Sequence, residues 1–320
     1  MQPIQLARAS GSAFGVDDIS CAVATDLGLF RQQGIEPRWS DWRGGVAATN
    51  AVLEGKAEVG YAGFGPVLAA RAQGKPVRIF VSQARALAQA LIVRKSITSP
   101  SQLKSISWAV DGIGALSHHM SRLVVRGLKL SEADIRWEVV GPPPLRIAAL
   151  LEGRVDAALI RTEEALALHR DHAGKVHRLL DFDQLKQLVP LQPHGVLFTT
   201  EAWEQAHPAQ LVSLAKAMIL AQRALFDRFE VFRDVTMANA GVKVTEPELR
   251  LLWQRETSSG GWAVNGELSK PHWEAQFDLY KTLYPDLRRV ERAEIIHEPA
   301  VPAALAALGR HPAAFDTTGS

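Results

Sequence analysis

The 320-residue chain is 47% hydrophobic and 22% charged, and its 36 lysines and arginines against 34 aspartates and glutamates leave a formal charge of +2. Such a length accommodates two lobes with a core each, and the even charge balance lacks the basic stripe of a nucleic-acid protein. No apolar run reaches the roughly 18 residues of a membrane helix, and a lone cysteine, Cys21, excludes an intramolecular disulfide and any multi-cysteine zinc or iron–sulfur site.

Met1-Gln2-Pro3 leads straight into Ile4-Gln5-Leu6-Ala7, without the basic and apolar regions of a signal peptide. Two expectations follow: a cytosolic chain, or one whose leader was removed. Residues 4–9 read as a strand, followed by the small-residue loop Ser10-Gly11-Ser12-Ala13-Phe14-Gly15. Asp17 or Asp18 suits the cap of a helix running to about Gln33, with Gly34 as its stop. The alternation continues with strand 36–41, helix 46–54, strand 57–62, helix 66–73 and strand 76–82. A second run starts near residue 89, with strands at about 89–94, 106–110, 135–140 and 155–160. Strands alternating with helices predict an α/β fold with largely parallel sheets. From Glu201 the pattern turns helical, with an apolar-periodic stretch at 208–229 and one late strand near 194–199.

An internal echo suggests two similar halves. Leu53-Glu54-Gly55-Lys56-Ala57-Glu58-Val59 matches Leu151-Glu152-Gly153-Arg154-Val155-Asp156-Ala157 at a constant offset of 98. In both, a helix ends at Gly, a basic and an acidic residue turn the chain, and a strand follows. The same offset sets Arg43-Gly44-Gly45 against Gly141-Pro142-Pro143, both helix starts. Downstream it sets Ala62-Gly63-Phe64-Gly65 against Ile160-Arg161-Thr162-Glu163. Each half is thus expected to present two strand-to-helix loops at the carboxyl edge of its sheet, where open α/β sheets bind ligands.

Several segments resemble the nitrate/sulfonate/taurine and thiamine-precursor solute-binding proteins of ABC importers. They are Asp26-Leu27-Gly28-Leu29-Phe30 with Gly34-Ile35-Glu36, the 53–60 turn, Gly74-Lys75-Pro76-Val77, and Ser96-Ile97-Thr98-Ser99-Pro100-Ser101-Gln102-Leu103-Lys104. Asn265-Gly266-Glu267 with Trp273, Gln276 and Tyr280 adds a C-terminal likeness. Two departures stand out: Gln102 where that family usually has Asp, and Ser105 where it usually has Gly. The resemblance implies a type II periplasmic binding protein fold, two α/β lobes with a ligand cleft between them. It puts residues 1–88 and 195–320 in lobe I and 89–194 in lobe II, with crossings near 83–90 and 190–196.

A small anion in such a cleft would be held by helix N-termini, whose unpaired N–H groups and dipole favour negative charge. Closure of the lobes would remove water from it. Gly44, Gly45, Gly63, Gly65, Gly112 and Gly114 allow close backbone approach. Arg43 and Arg161, each at a helix start, suit a bidentate grip on a carboxylate or sulfonate. Thr162 follows at the same start, and Ser12 sits in the first small-residue loop. Phe14, Trp42 and Phe64 would cover an apolar ligand body, although each also suits ordinary core packing. The resemblance further implies ligand contacts from Ser117 and His118.

Asp111-Gly112-Ile113-Gly114-Ala115-Leu116-Ser117-His118-His119 lacks both the third glycine of a dinucleotide loop and the Lys-Ser/Thr of a P-loop. Adjacent histidines do not share a helix face, so no metal site is expected. Cys21 has no activating His or Asp near it in sequence and reads as a buried, inert thiol. A sulfinate desulfinase shares the implied scaffold and uses Cys, His and Arg in the cleft loops, and these are missing here. Thiamine-pyrimidine synthases carry a cysteine-rich motif that one cysteine cannot supply.

The sequence therefore leads to a periplasmic, monomeric solute-binding subunit of an ABC importer, without catalytic residues, cofactor or metal. Its expected ligand is a small organic anion: a sulfonate, a taurine-like or nitrate-like anion, or an aromatic carboxylate. Its expected partners are membrane permease and ATPase subunits, with no nucleic acid. The alternative is a cytosolic enzyme on the same scaffold, desulfinase-, decarboxylase- or lyase-like, drawing on His118, His119 or Arg161. A ligand sensor docking some other partner ranks last, as no DNA-binding or signalling segment is appended.

Overall fold

The computed structural model describes residues 1–9, 19–83, 88–189, 195–239, 243–266, 270–283 and 285–313. The chain divides into two compact units: unit 1 is Met1–Leu87, Gln192–Asn239 and Trp253–Ser320, and unit 2 is Ala88–Leu191 and Ala240–Leu252. Unit 1 opens with β1 (Gln2–Ala9), α1 (Ser20–Asp26), α2 (Leu29–Gln32), β2 (Ile35–Trp42), α3 (Gly44–Leu53), β3 (Val59–Gly63), α4 (Phe64–Ala72) and β4 (Val77–Ser82). Unit 2 follows with β5 (Gln89–Arg94), β6 (Ile106–Val110), α5 (Leu116–Gly127), β7 (Ile135–Val139), α6 (Pro143–Leu151), β8 (Ala157–Arg161), α7 (Thr162–His172), β9 (Val176–Leu180) and α8 (Phe182–Leu188). Next come β10 (Gly195–Thr200), α9 (Glu201–Ala206), α10 (Pro208–Asp227), α11 (Phe229–Asn239), α12 (Glu246–Ser259), α13 (Lys270–Leu283), α14 (Arg292–Ile295) and α15 (Ala300–Leu308).

Residues 240–252 depart from the expected lobe boundaries and group with unit 2. Arg170 on α7 gives the physical reason: its Nη1 donates to both carboxylate oxygens of Glu248, at 2.9 and 2.7 Å. Its Nη2 donates to the Lys243 carbonyl at 3.1 Å. The expected crossings fall largely outside the described residues.

The sheet of unit 1 runs β2-β1-β3-β10-β4, and that of unit 2 runs β7-β6-β8-β5-β9. The first three strands of each are mutually parallel, whereas β10 and β5 run antiparallel to both their neighbours. Four of the five strands in each sheet thus run one way, as the largely parallel reading expects, and the single reversed strand at the fourth place leaves no mark in residue spacing. Each sheet packs α-helices over apolar side chains. Ala48, Val52, Val67 and Leu68 lie with Ile79 and Phe198 in unit 1. Ala149, Leu150, Ala165 and Leu168 lie with Ile92, Ala158 and Ile160 in unit 2.

The echo extends to individual bonds. Gly55 and Gly153 both take positive φ, 70° and 73°, as C′ residues after α3 and α6. Behind them the Lys56 N–H donates to the Ala51 carbonyl and the Arg154 N–H to the Ala149 carbonyl, 2.9 Å each, the long bond of a Schellman stop. The acidic residue then brackets the neighbouring strand. Glu58 accepts from the Gln5 N–H at 2.5 Å and Asp156 from the Ser107 N–H at 2.8 Å. In return the Glu58 N–H donates to the Gln5 carbonyl and the Asp156 N–H to the Ser107 carbonyl. These carboxylates therefore fix β3 on β1 and β8 on β6.

The first helix is not continuous to Gln33. It stops at Asp26, Gly28 turns at φ 65°, and α2 restarts at Leu29. The Asp17 or Asp18 cap lies outside the described residues. At the two departures from the resembled pattern, Gln102 and Ser105 fare differently. Gln102 caps as an Asp would, its Oε1 accepting from the N–H groups of Thr98 and Ser99 at 2.8 and 3.0 Å. Ser105 is held at φ 56°, a left-handed conformation that burdens any residue with a Cβ. Ser105→Gly is expected to raise the unfolding free energy by about 0.5–1 kcal/mol, less than the full relief because glycine loosens the unfolded chain. Urea unfolding of the two proteins reads this, and a loss of stability would contradict it.

Candidate functional site

In unit 1 the carboxyl ends of β2 and β3 deliver the chain directly into α3 and α4. Helix geometry leaves the first-turn amides of both without intrahelical partners, and neither helix has an acidic residue in its first turn. Gly44 begins α3 at φ 80°, where only glycine is unstrained. Gly45 serves helix packing, since a Cβ there would meet Pro66 Cγ of α4 at 2.8 Å. Arg43 is the exposed N-cap of α3 and makes no side-chain cap bond. Gly63, the N-cap of α4, lies opposite Gly195 in the β3–β10 ladder.

Two of the expected aromatic contacts in unit 1 have other neighbours. Phe64 is 2% exposed, with its ring edge-on to Trp273 and Tyr280 at centroid distances of 5.3 and 6.1 Å. This corrects the reading of Phe64 as a cover for a ligand: it is a core side chain, because the first turn of α4 points inward. Trp42 is half-buried, donates Nε1–H to Ser40 Oγ at 2.9 Å, and carries Lys56 Nζ over its ring at 5.7 Å. Ser12 and Phe14 lie outside the described residues. Cys21 is fully buried in α1, with Gln83 Oε1 and Nε2 at 3.5 and 3.4 Å from its sulfur.

In unit 2 the ends of β6, β7 and β8 lead to α5, α6 and α7. Ser117 and His118 tie down the loop before α5. Asp111 N–H donates to Ser117 Oγ at 2.7 Å, and Gly114 N–H, at φ 78°, donates to His118 Nδ1 at 3.0 Å. An imidazole that accepts at Nδ1 is neutral with its proton on Nε2. Burial, and next the Arg122 cation, hold His118 below the usual imidazole range, against a smaller opposing pull from Glu132. Its ring stands edge-on to Trp137 at 5.0 Å. The same two causes, with His118 added, push His119 down to about 3.

The other two helix starts of unit 2 offer fewer amides than expected. Pro143 and Pro144 have no N–H, and the N–H groups of Leu145 and Arg146 both donate to the Pro142 carbonyl at 3.0 and 3.2 Å. The start of α6 is therefore closed to an anion as far as these amides go, unlike that of α3. At α7, Arg161 is the half-buried N-cap, and the Thr162 N–H is spent on the Ala88 carbonyl at 3.1 Å. Glu163 and Glu164 occupy the first turn and are buried.

One buried charge escaped the sequence reading. Arg146 of α6 is 5% exposed, and its Nη1 donates to the Leu159 carbonyl at 2.7 Å. Burial pushes its pKa down to about 10, opposed by Glu164 and then Asp111, so it stays charged at neutral pH. A legible signal existed: Arg146, Ala149 and Leu150 follow the three–four spacing of a buried helix face. Among the described residues, no group of three or more His, Cys, Asp and Glu side chains could hold a metal ion. No described helix is long and apolar enough to cross a membrane.

Comparison with known proteins agrees with this architecture. The model of a family described as NMT1/THI5 like matches residues 17–227. The taurine-binding periplasmic protein of Escherichia coli (strain K12) is 27% identical over 195 residues, which are 60% of this chain. The match spans only 58% of that relative's own length. A solved structure from Bordetella bronchiseptica RB50 overlays 97% of this chain and 99% of its own, with a TM-score of 0.79 and 20% identity. The alkanesulfonate-binding protein SsuA from Xanthomonas axonopodis pv. citri, bound to MOPS, overlays 92% of this chain and 98% of its own, with a TM-score of 0.71 and 19% identity. Structural likeness at these identities speaks for the fold.

Proposed function

Because the chain belongs to the NMT1/THI5-like family and has the periplasmic binding protein fold, we propose that it is the solute-binding subunit of an ABC importer. It captures a small organic anion in the periplasm and hands it to a membrane permease and its ATPase, working as a monomer. Sulfonates and taurine-like compounds head the ligand class, since relatives named for taurine and alkanesulfonate share its sequence or fold. Aromatic carboxylates follow.

The observation that carries the anion is the carboxyl edge of unit 1. Two helix starts, α3 and α4, have no acidic residue in their first turns, and Arg43 stands exposed beside one of them. In unit 2, taken by itself, the start of α5 presents a loop fixed by Ser117 and His118. A hydrogen bond to a charged group contributes about 1.5–3 kcal/mol, so three or four give micromolar affinity after ordering costs. Of the residues the enzyme alternative draws on, His118, His119 and Arg161, the two histidines are the candidate proton carriers. His118 Nδ1 already accepts from Gly114, and His119 is buried and neutral, which supports binding over catalysis.

A thermal-shift panel of taurine, ethanesulfonate, nitrate and benzoate against neutral sugars and organic cations tests the proposal. Stabilisation by sugars or cations alone would remove the anion from it. Arg43→Ala is expected to weaken the best anion roughly ten-fold or more, as a charge-assisted bond is lost. Because Arg43 is an exposed N-cap without a cap bond, the unfolding midpoint should stay put. Unchanged affinity in calorimetry would take Arg43 out of the site.

A further inference from the structure

The 98-residue repeat makes each unit a control for the other. Ala48 on α3 corresponds to Arg146 on α6, while Phe64, Gly65 and Pro66 on α4 correspond to Thr162, Glu163 and Glu164 on α7. In unit 1 Ala48 and Phe64 lie in the apolar core. In unit 2 a guanidinium and two carboxylates stand at these positions, with Arg146 5%, Glu163 3% and Glu164 5% exposed. The scaffold thus packs without such charges, and buried ions stabilise a fold no better than apolar side chains of like volume. Folding alone does not account for them.

Their placement suggests what does. Arg146 lies on the face of α6 that sends Ala149 and Leu150 into one cluster with Ala165 and Leu168 of α7. Its Nη1 holds the Leu159 carbonyl, two residues before Arg161. Arg146 Nε and Thr162 Oγ1 are buried polar atoms without a hydrogen-bond partner, at the same end of β8. Glu164 is the largest anionic influence on Arg146, followed by Asp111. Glu163 and Glu164 sit in the first turn of α7, where the helix dipole favours negative charge.

We infer that unit 2 fills the start of α7 with its own carboxylates, and that Arg146 and Glu164 are opposed positioning residues that set anion selectivity at that edge. Arg146 strengthens the hold on an anionic ligand and Glu164 weakens it. Neither touches the ligand; both act through the field at Arg161 and Thr162, in surroundings buried enough to limit screening. The inference rests on the anion reading of the proposed function.

Calorimetric titration of taurine and ethanesulfonate into the wild type, Arg146→Met, Glu164→Gln and the double variant tests it. Arg146→Met should weaken binding roughly three- to ten-fold, Glu164→Gln should tighten it by a similar factor, and the double variant should return to about the wild-type value. The opposite signs are decisive, because a purely structural pair would weaken binding in both single variants. Changes of the same sign, or none, overturn the inference and leave the anion reading standing. Binding of neither probe by any of the four proteins overturns the inference and removes sulfonates from the ligand class, while the thermal-shift panel decides the anion reading separately. Should Arg146→Met fail to fold, Glu164→Gln decides alone: tighter binding supports the inference, and weaker or equal binding overturns it.

Discussion

Arg146→Ala is expected to lower the unfolding free energy by about 3–5 kcal/mol, the range seen when one member of a buried charge set is removed. The loss has three parts. The Leu159 carbonyl gives up a 2.7 Å bond, the buried Glu164 carboxylate loses the Arg146 cation it is coupled to, and a cavity opens under α6. Arg146→Lys should recover part of the loss, since a cation remains but the planar fork is gone. Removing Glu164 as well, in Arg146→Met/Glu164→Gln, should recover more, because no buried carboxylate is then left without compensation at that position. Urea unfolding of the four proteins reads the series. An Arg146→Ala loss below about 1 kcal/mol would mean that the guanidinium is far better solvated than its burial implies.

Acid should destabilise the protein through His119. The unfolded imidazole takes a proton near pH 6.5, whereas the folded one resists it until about 3 because burial, Arg122 and His118 disfavour the cation. Between those values the unfolded chain binds more protons, so stability falls as pH drops through this window. Linkage over a shift of that size gives a loss of about 2 kcal/mol between pH 7 and pH 5 from this one group. His118, also held down by burial, adds to the loss in the same direction. His119→Gln, neutral at every pH, should lose about 2 kcal/mol less than the wild type over the same interval. Equal losses in urea unfolding at the two pH values would show that His119 is not buried as a neutral group.

Local chemistry made much of this molecule legible. Gly55 and Gly153 mark helix ends because only glycine enters the left-handed stop without strain, and the acid three residues on announces the strand. The strand 89–94 coincides with β5 and 106–110 with β6, each an apolar run bounded by turn residues. What escaped was set by tertiary context. β9, Val176–Leu180, has a histidine and an arginine in five residues and gave no period. Phe64 sits between Gly63 and Gly65 in sequence, yet the turn of α4 aims it at Trp273. Pro142-Pro143 read as a helix start, which it is. That the prolines and the Pro142 carbonyl also remove the amides an anion needs emerges only when the bonds are counted. Arg146 was overlooked because a charge on a helix is read as solvated unless its neighbours at the buried spacing are weighed.

The fourth strand of each sheet has a consequence for biosynthesis. All five strands of the second sheet lie within residues 89–180, so it has every ladder partner once that stretch has left the ribosome. The first sheet must wait: among the described residues β4, finished at Ser82, has no ladder partner in its sheet except β10, which begins at Gly195. At about 5–20 residues per second, translation leaves that edge open for several seconds while the intervening segment emerges. The half of the protein made first is therefore the half completed last, and its waiting strand is where a nascent-chain chaperone would be needed.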